Sequence, residues 1–315
     1  MTTSLNAKAQ QNMYGMSADS AYIQSIERAA KAIQEADLVV IGAGSGFSTA
    51  AGLTYGGERF IRNFALYIQK YGVTDMYSAG FYPFKTLEEK WGYWARHILV
   101  NRYEPGSLPL YEQLRELVAG KEYFVLTTNV DSLFAKAGFD SERIFEQQGN
   151  YGDFQCSRPC SQEVYSNEEM VRTMVEQTDE NLRIPSELVP VCPRCGAPLT
   201  THLRVDGSFV DSPARQRQEK RWEEVLQSMP GKKVLLLELG VGFMTPTWIR
   251  FPFERITHVL ETATLVRLNR DHPEAMAENR ERTVSFAEDM HQVLRDLLTK
   301  RYTSVAEAQG EGVAS

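Results

Sequence analysis

Leu38-Val39-Val40-Ile41 is an unbroken apolar run between polar neighbours. Three largely apolar runs follow it, two with one charge inside: Tyr123-Phe124-Val125-Leu126-Thr127, Val234-Leu235-Leu236-Leu237-Glu238-Leu239 and Leu265-Val266-Arg267-Leu268. Short runs without polar alternation predict strands covered on both faces, as in a parallel sheet. Between them the apolar positions recur at helical spacing. Ile23, Ile26, Ala30 and Ile33 form one stripe of a helix that Asp19 or Ser20 can cap and that runs to about Ala36. The stretch from Glu58 to Asn101 is helical in character and carries Trp91, Tyr93 and Trp94. Leu110 to Val118, Arg215 to Gln227 and Ala287 to Thr299 read as further amphipathic helices. Strands alternating with helices predict an α/β fold built on a Rossmann-like, doubly wound parallel sheet.

Residues 150–206 break this rhythm with polar loops, one helix near Glu168 to Gln177, and all four cysteines of the chain. Cys156-x3-Cys160 and Cys192-x2-Cys195 have the spacing of a tetrahedral four-sulfur zinc site, and Pro193 and Gly196 suit a knuckle turn. A closed four-thiolate site leaves no open position for substrate, so its expected role is structural Zn2+. The expected organisation is a nucleotide-binding domain at 19–149 and 207–300, an inserted zinc-binding module at 150–206, and flexible ends at 1–18 and 301–315. At 315 residues the chain is long enough for such a core. A net charge of −7 with dispersed acidic residues argues against nucleic acid as partner. No apolar run approaches a membrane span, and Met1 to Ser17 lacks an apolar signal core, so a cytoplasmic location is expected.

Candidate chemistry collects at the strand ends. Gly42-x-Gly44-x-Gly46 lets the backbone turn tightly and approach a pyrophosphate at a helix N-terminus, although it equally describes a plain strand-to-helix turn. No G-x-G-x-x-G with an acidic residue about 20 positions on is present, which disfavours a hydride-transferring site. Thr127-Thr128-Asn129-Val130-Asp131 ends the second strand where an open sheet forms its ligand crevice. An amide and a carboxylate there suit stabilisation of developing positive charge, and they also suit a helix cap. Gly240-Val241-Gly242 and Asn269 close the third and fourth strands.

Taken in order, Gly44-Ser45-Gly46-Phe47-Ser48 with Gly52, Thr127 to Asp131, Gln148-Gly149 and the two cysteine pairs resemble the sirtuins, which cleave NAD and pass its ADP-ribose to an acceptor. The resemblance runs from about residue 20 to residue 298. It implies NAD contacts from Gly44, Ser45, Gly46, Ser48, Gly52, Gly240, Val241, Gly242 and Asn269. It further implies that Asn129 serves the ribose and an attacking water, and that Asp131 serves nicotinamide and the geometry of the site. Where sirtuins continue Ile-Pro-Asp-Phe-Arg, this chain reads Leu53-Thr54-Tyr55-Gly56-Gly57-Glu58-Arg59-Phe60, so Arg59 and Phe60 carry over in altered order.

One sirtuin residue is replaced. The family's His-Gly is Gln148-Gly149 here, which makes Asn129, Gln148 and Asp131 the expected catalytic set. Histidine titrates near neutrality and can act as a base on a ribose hydroxyl, whereas an amide can only position one. His97, His202, His258, His272 and His291 all lie outside the motifs, with His97 and His258 expected to be packing or surface residues. The replacement predicts retained NAD cleavage and lost lysine deacylation. Leu53-Thr54-Tyr55, Gln148-Gly149-Asn150-Tyr151-Gly152, Leu239-Gly240-Val241-Gly242 and Pro190-x-Cys192-Pro193-x-Cys195 resemble the macrodomain-linked class M sirtuins. Those are similar to protein ADP-ribosyltransferases. The resemblance implies a lipoylated carrier resembling the glycine-cleavage H protein as acceptor, with reversal by a separate macrodomain hydrolase. The competing readings are a protein deacylase, an NAD glycohydrolase and a non-enzymatic NAD or ADP-ribose sensor.

Overall fold

The computed structural model describes residues 18–310. The expectations for residues 1–17 and 311–315 lie outside them. Eleven α-helices and nine strands follow one another in the described residues: α1 (Ala18–Glu35), β1 (Leu38–Ala43), α2 (Ser45–Ala50), α3 (Gly57–Tyr71), α4 (Met76–Gly80), α5 (Leu87–Ile98), α6 (Pro109–Leu117), β2 (Glu122–Thr127), α7 (Leu133–Lys136), β3 (Ile144–Glu146), β4 (Gly149–Cys156), β5 (Val164–Ser166), α8 (Glu168–Glu176), β6 (Leu199–Leu203), α9 (Pro213–Ser228), β7 (Val234–Leu239), α10 (Arg250–Val259), β8 (Ala263–Leu268), β9 (Thr283–Phe286) and α11 (Met290–Gly310).

Six strands form one parallel sheet in the order β3-β2-β1-β7-β8-β9. The strand order reverses between β1 and β7, which is where open α/β sheets bind ligands. Every residue of β1 and of β7 is buried, as expected of strands covered on both faces. On one face Val39, Ile41, Val125, Leu235 and Leu237 share a core with Ile26 and Ile33 of α1, Leu114 of α6 and Leu294 of α11. On the other, Val40, Phe124, Leu236 and Leu265 pack with Phe253 of α10 and Trp222 of α9. The edge strands β3 and β9 supply no apolar run long enough to recognise. The charges within β7 and β8 are paired. Glu238 and Arg267 stand opposite each other in register, and Arg267 donates to Glu238 at 2.7 and 2.9 Å and to Glu254 at 2.8 Å.

The stretch from Glu58 to Asn101 is helical, as α3, α4 and α5. Thr86 caps α5 by accepting from the Glu89 amide, and Gly72 ends α3 at φ 67°. A five-residue π-helical segment, Leu99–Tyr103, follows α5. Antiparallel strands β5-β4-β6 form a second sheet. Trp91, Ala95 and Ile98 of α5 share one core with Phe154, Cys156 and Val171, so the inserted sheet rests on this helix.

The closing helix begins at Met290, where Asp289 accepts from the Gln292 amide, rather than at Ala287, because the chain first completes β9. It then runs on through Gly310 into the expected flexible tail, since Ala306, Glu307, Ala308 and Gln309 favour helix. Among the described residues, no helix is long and apolar enough to cross a membrane.

Candidate active site

The glycine turns after β1 and β7 meet as bare backbone. Gly44 donates to the Leu239 carbonyl and Gly46 to the Gly240 carbonyl, each at 3.0 Å. A Cβ on Gly44 would lie 2.7 Å from the Gly240 oxygen, and one on Gly46 would lie 2.8 Å from the Gly240 Cα. Gly240 itself has φ +59°, and its Cβ would lie 2.3 Å from the Phe47 amide nitrogen. These glycines therefore serve strand-to-strand approach. The Gly46 N–H is committed to the Gly240 carbonyl. Ser45 is exposed at the start of α2, Gly52 sits in the open at φ +101°, and a Cβ on Gly242 would meet nothing within 4 Å. Val241 is a core residue.

Ser48, on α2 behind this turn, is a buried hub. It donates to Asp131 Oδ2 at 2.6 Å and accepts from Asn129 Nδ2 at 3.0 Å. Tyr111 Oη lies 2.8 Å away. A hydroxyl has one proton, and Ser48's goes to the carboxylate, so Tyr111 is the donor in the third bond. Asn129 Nδ2 also donates to the Gly44 carbonyl at 3.0 Å, which ties the Asn-x-Asp loop to the glycine turn. Asp131 Oδ1 accepts from the Leu133 amide at 3.0 Å. Burial pushes the Asp131 carboxyl up from its ordinary value, opposed by Ser48, Leu133, Arg102 and Lys136. Ser48, Asn129 and Asp131, named separately from the sequence, are in direct contact. Tyr111 was not among them, because one tyrosine on an amphipathic helix reads as core.

Ser132, directly after Asp131, has φ 55°, the left-handed region that side chains seldom occupy. Its hydroxyl donates to Glu146 Oε1 at 2.5 Å. Burial pushes the Glu146 carboxyl up to about 7, opposed by Ser132 and Arg102 and reinforced by Asp131 and Asp153.

Gln148 is half-buried, and its carbonyl accepts from the Arg204 amide at 3.0 Å. Gly149 follows at φ +79°, where a Cβ would lie 2.1 Å from the His202 carbonyl oxygen, so glycine is required for β4 to pass β6. The Arg204 guanidinium lies 4.3 Å from the Phe209 ring centre and 5.5 Å from that of Trp248. Among the described residues, no histidine hydrogen-bonds Asn129, Asp131 or Gln148. His258 is exposed, and His202 Nε2 lies 2.8 Å from the Val210 carbonyl. His97 is buried among aromatic rings, where burial and nearby Arg59 push its imidazole down to about 3.

Three expected cofactor contacts are engaged elsewhere. Arg59 donates to the Thr54 carbonyl and Asn101 Oδ1, each at 2.9 Å, and to the Val100 carbonyl at 2.6 Å, so it braces the loop after Gly52. Phe60 is 2% exposed and stacked on Phe64. Asn269 donates to the Val241 carbonyl at 2.8 Å and accepts from the Asp271 and His272 amides, so it fastens the loop after β8 to the β7 turn.

The four cysteine sulfurs lie within 4.8 Å of one another. Cys156 and Cys195 are 3.6 Å apart, as are Cys160 and Cys192. A tetrahedral zinc with bonds of about 2.3 Å needs sulfurs about 3.8 Å apart, so the set fits the ion.

A family model described as the Sir2 family matches residues 44–225. Over 281 residues the chain is 35% identical to a protein ADP-ribosyltransferase of Staphylococcus aureus, covering 89% of each. Over 266 residues it is 33% identical to a probable bifunctional ADP-ribose hydrolase/ADP-ribosyltransferase of Fusarium oxysporum f. sp. cubense, covering 80% of this chain and 43% of that one. Among solved structures it resembles a Sir2 homolog–NAD complex with TM-score 0.57 and 16% identity, over 88% of this chain and 94% of that one. Sir2Tm bound to a propionylated peptide aligns with TM-score 0.56 and 18% identity, over 87% of this chain and 98% of that one.

Proposed function

This chain belongs to the Sir2 family, and on that footing we propose that it is an NAD-dependent protein ADP-ribosyltransferase. The observation that carries the reading is the pairing of an intact Ser48–Asn129–Asp131 network with an amide at Gln148. The network keeps what cleavage of a glycosidic bond to nicotinamide requires, a buried carboxylate and an oriented amide. Gln148 withholds what deacylation requires, a base titrating near neutrality. The Staphylococcus aureus relative's name agrees with transfer.

NAD supplies an activated ribosyl carbon and a neutral leaving group. The chain's residues supply the rest. Ser48 orients Asn129 and Asp131, Asn129 faces the ribose and the incoming nucleophile, and Asp131 holds the nicotinamide end. Gln148 hydrogen-bonds a ribose hydroxyl. Ser45, Gly52, Gly242 and the backbone of Gly44, Gly46, Gly240 and Val241 line the crevice, with Arg59 and Asn269 bracing its two sides. Cys156, Cys160, Cys192 and Cys195 hold a structural zinc that fixes the insert of 150–206 on the NAD-binding unit of 19–149 and 207–300.

We assign as acceptor a lipoylated carrier resembling the glycine-cleavage H protein, with removal by a separate macrodomain hydrolase in the cytoplasm. The Fusarium relative, a longer chain named for hydrolase and transferase together, supports such a coupling. The test is mass spectrometry after mixing protein and NAD with a lipoylated H-like carrier or, separately, an acetyl-lysine peptide. A carrier heavier by one ADP-ribose with the peptide untouched is expected. Efficient deacetylation would refute the role given to Gln148, and free ADP-ribose without a modified carrier would make the protein a glycohydrolase. Asn129→Ala is expected to abolish transfer.

A further inference from the structure

Tyr93, His97, Tyr151 and Tyr55 form a hydrogen-bonded chain that the reading above leaves unused. Tyr93 Oη donates to the Met76 carbonyl at 2.7 Å and lies 3.2 Å from His97 Nδ1. Its single proton goes to the shorter bond, so it accepts from His97 and fixes the Nδ1–H tautomer. His97 is neutral, because burial opposes its charge. Its Nε2 lone pair then takes the proton of Tyr151 Oη, 2.9 Å away. Tyr151 Oη has no proton left, so Tyr55 Oη, at 2.7 Å, donates to it. The polarity of every bond is thereby determined, and the Tyr55 oxygen ends the chain with lone pairs that no donor among the described residues fills.

That oxygen stands beside the site. The Tyr151 amide donates to the Val130 carbonyl at 2.9 Å, inside the Asn-x-Asp loop. Burial, with the Asp131 charge added to it, pushes the Tyr55 and Tyr151 hydroxyls up from their ordinary value. The loop carrying Tyr55 returns to α2 through the bond from the Leu53 amide to the Ser48 carbonyl at 2.9 Å. Arg59 holds the Thr54 carbonyl, and the Tyr55 carbonyl accepts from the Met76 amide at 2.8 Å. Tyr55 is half-buried as a residue, on the loop between α2 and α3. Asp131 is tied to Ser48 and Leu133, one through each oxygen, and is given to the nicotinamide end, while Gln148 does not titrate.

We infer that Tyr55 is a catalytic residue that accepts the proton of the attacking group, with Tyr151 and His97 as the positioning residues of a relay behind it. This rests on the transferase reading. The bond from the ribosyl carbon to nicotinamide breaks with its electron pair on nicotinamide, and a lone pair of the attacking X–H forms the new carbon–X bond. The proton on X passes to Tyr55 Oη as Tyr55's own proton moves to Tyr151 and Tyr151's moves to His97 Nε2. The resulting imidazolium returns its proton to solvent as the chain resets. A weak base suffices, because X bonded to carbon and still carrying its proton is far more acidic than free X–H. This accounts for an enzyme that works without the family histidine.

The experiment separates the two halves of the reaction, with water and methanol as acceptors and NAD as the only cosubstrate. Exchange of labelled nicotinamide into NAD reads bond cleavage, while formation of ADP-ribose and its methyl glycoside reads attack. Tyr55→Phe is expected to slow attack about a hundredfold and Tyr151→Phe about tenfold, with exchange retained in both. Both variants should also change a multi-proton solvent isotope effect into a single-proton one. Equal losses of exchange and attack, with a lowered melting temperature, would make the chain structural and overturn the inference. Undiminished attack by Tyr151→Phe would overturn it too. A wild-type protein that performs neither exchange nor attack would remove the transferase reading, and this inference with it.

Discussion

Ser48→Ala tests whether the site is held by its hub or by the strands around it. The substitution removes one oxygen and leaves three former partners. Asn129 Nδ2 keeps its bond to Gly44, so it loses little. Asp131 Oδ2 loses a bond of 2.6 Å to a buried carboxylate, worth about 1.5–3 kcal/mol. Tyr111, fully buried, is left with an unanswered hydroxyl, which costs about 1–3 kcal/mol. The expected loss is therefore about 3–5 kcal/mol in urea denaturation, at unchanged m-value. The orphaned hydroxyl makes a second, sharper prediction. Adding Tyr111→Phe to Ser48→Ala should restore about 1–3 kcal/mol, whereas Tyr111→Phe alone should destabilise. A loss below about 1 kcal/mol for Ser48→Ala, or no recovery in the double variant, would refute the valence argument that makes Tyr111 the donor. Nicotinamide release should fall in both Ser48 variants, since Asp131 and Asn129 lose their common anchor.

Gly240→Ala places a Cβ 2.3 Å from the Phe47 nitrogen at φ +59°, and should yield little folded protein by circular dichroism, whereas Gly242→Ala, with open space around it, should fold normally. Glu146 has a raised carboxyl, so folding takes up a proton between the ordinary carboxylate value and about 7. Its stability contribution is complete below pH 4 and is lost as pH rises through 7. The melting temperature should fall across that window, by up to about 3 kcal/mol in stability, and Glu146→Gln should flatten the fall. Elemental analysis of purified protein should give one zinc per chain, and stripping it should loosen 150–206 in hydrogen exchange while strands β1, β2 and β7 stay protected; full loss of protection there would mean that the metal holds the whole fold.

The central strands, the cysteine cluster and the strand-end motifs that carry Ser48, Asn129 and Asp131 were legible in the sequence because each is local. An apolar run, a cysteine spacing and a strand-end motif need no knowledge of what lies across the fold. The edge strands β3 and β9 were not, since three or four residues carry no period. The surroundings of Phe60 and Gly46 were not legible, for a common reason. Their neighbours in space, Phe64 packed in the helical layer and Gly240 far along the chain, decide their roles. The Tyr55–Tyr151–His97 chain was illegible for the same cause, as it joins a loop, a strand and a helix that share no motif. Its polarity follows only after hydrogen-bond partners are known.

The position of β1 at the middle of the sheet has a consequence for how the protein is made. Its first neighbour, β2, is translated by residue 127, but the second, β7, is complete only at residue 239. Throughout the synthesis of the intervening segment, the emerging polypeptide carries Leu38 to Ala43 with one row of amides and carbonyls unpaired beside a glycine turn that awaits its counterpart. Such an open apolar edge is a template for illicit pairing between nascent chains. The ribosome thus holds this strand with one edge unpaired while residues 128–239 are made, the interval in which a chaperone would have most to shield.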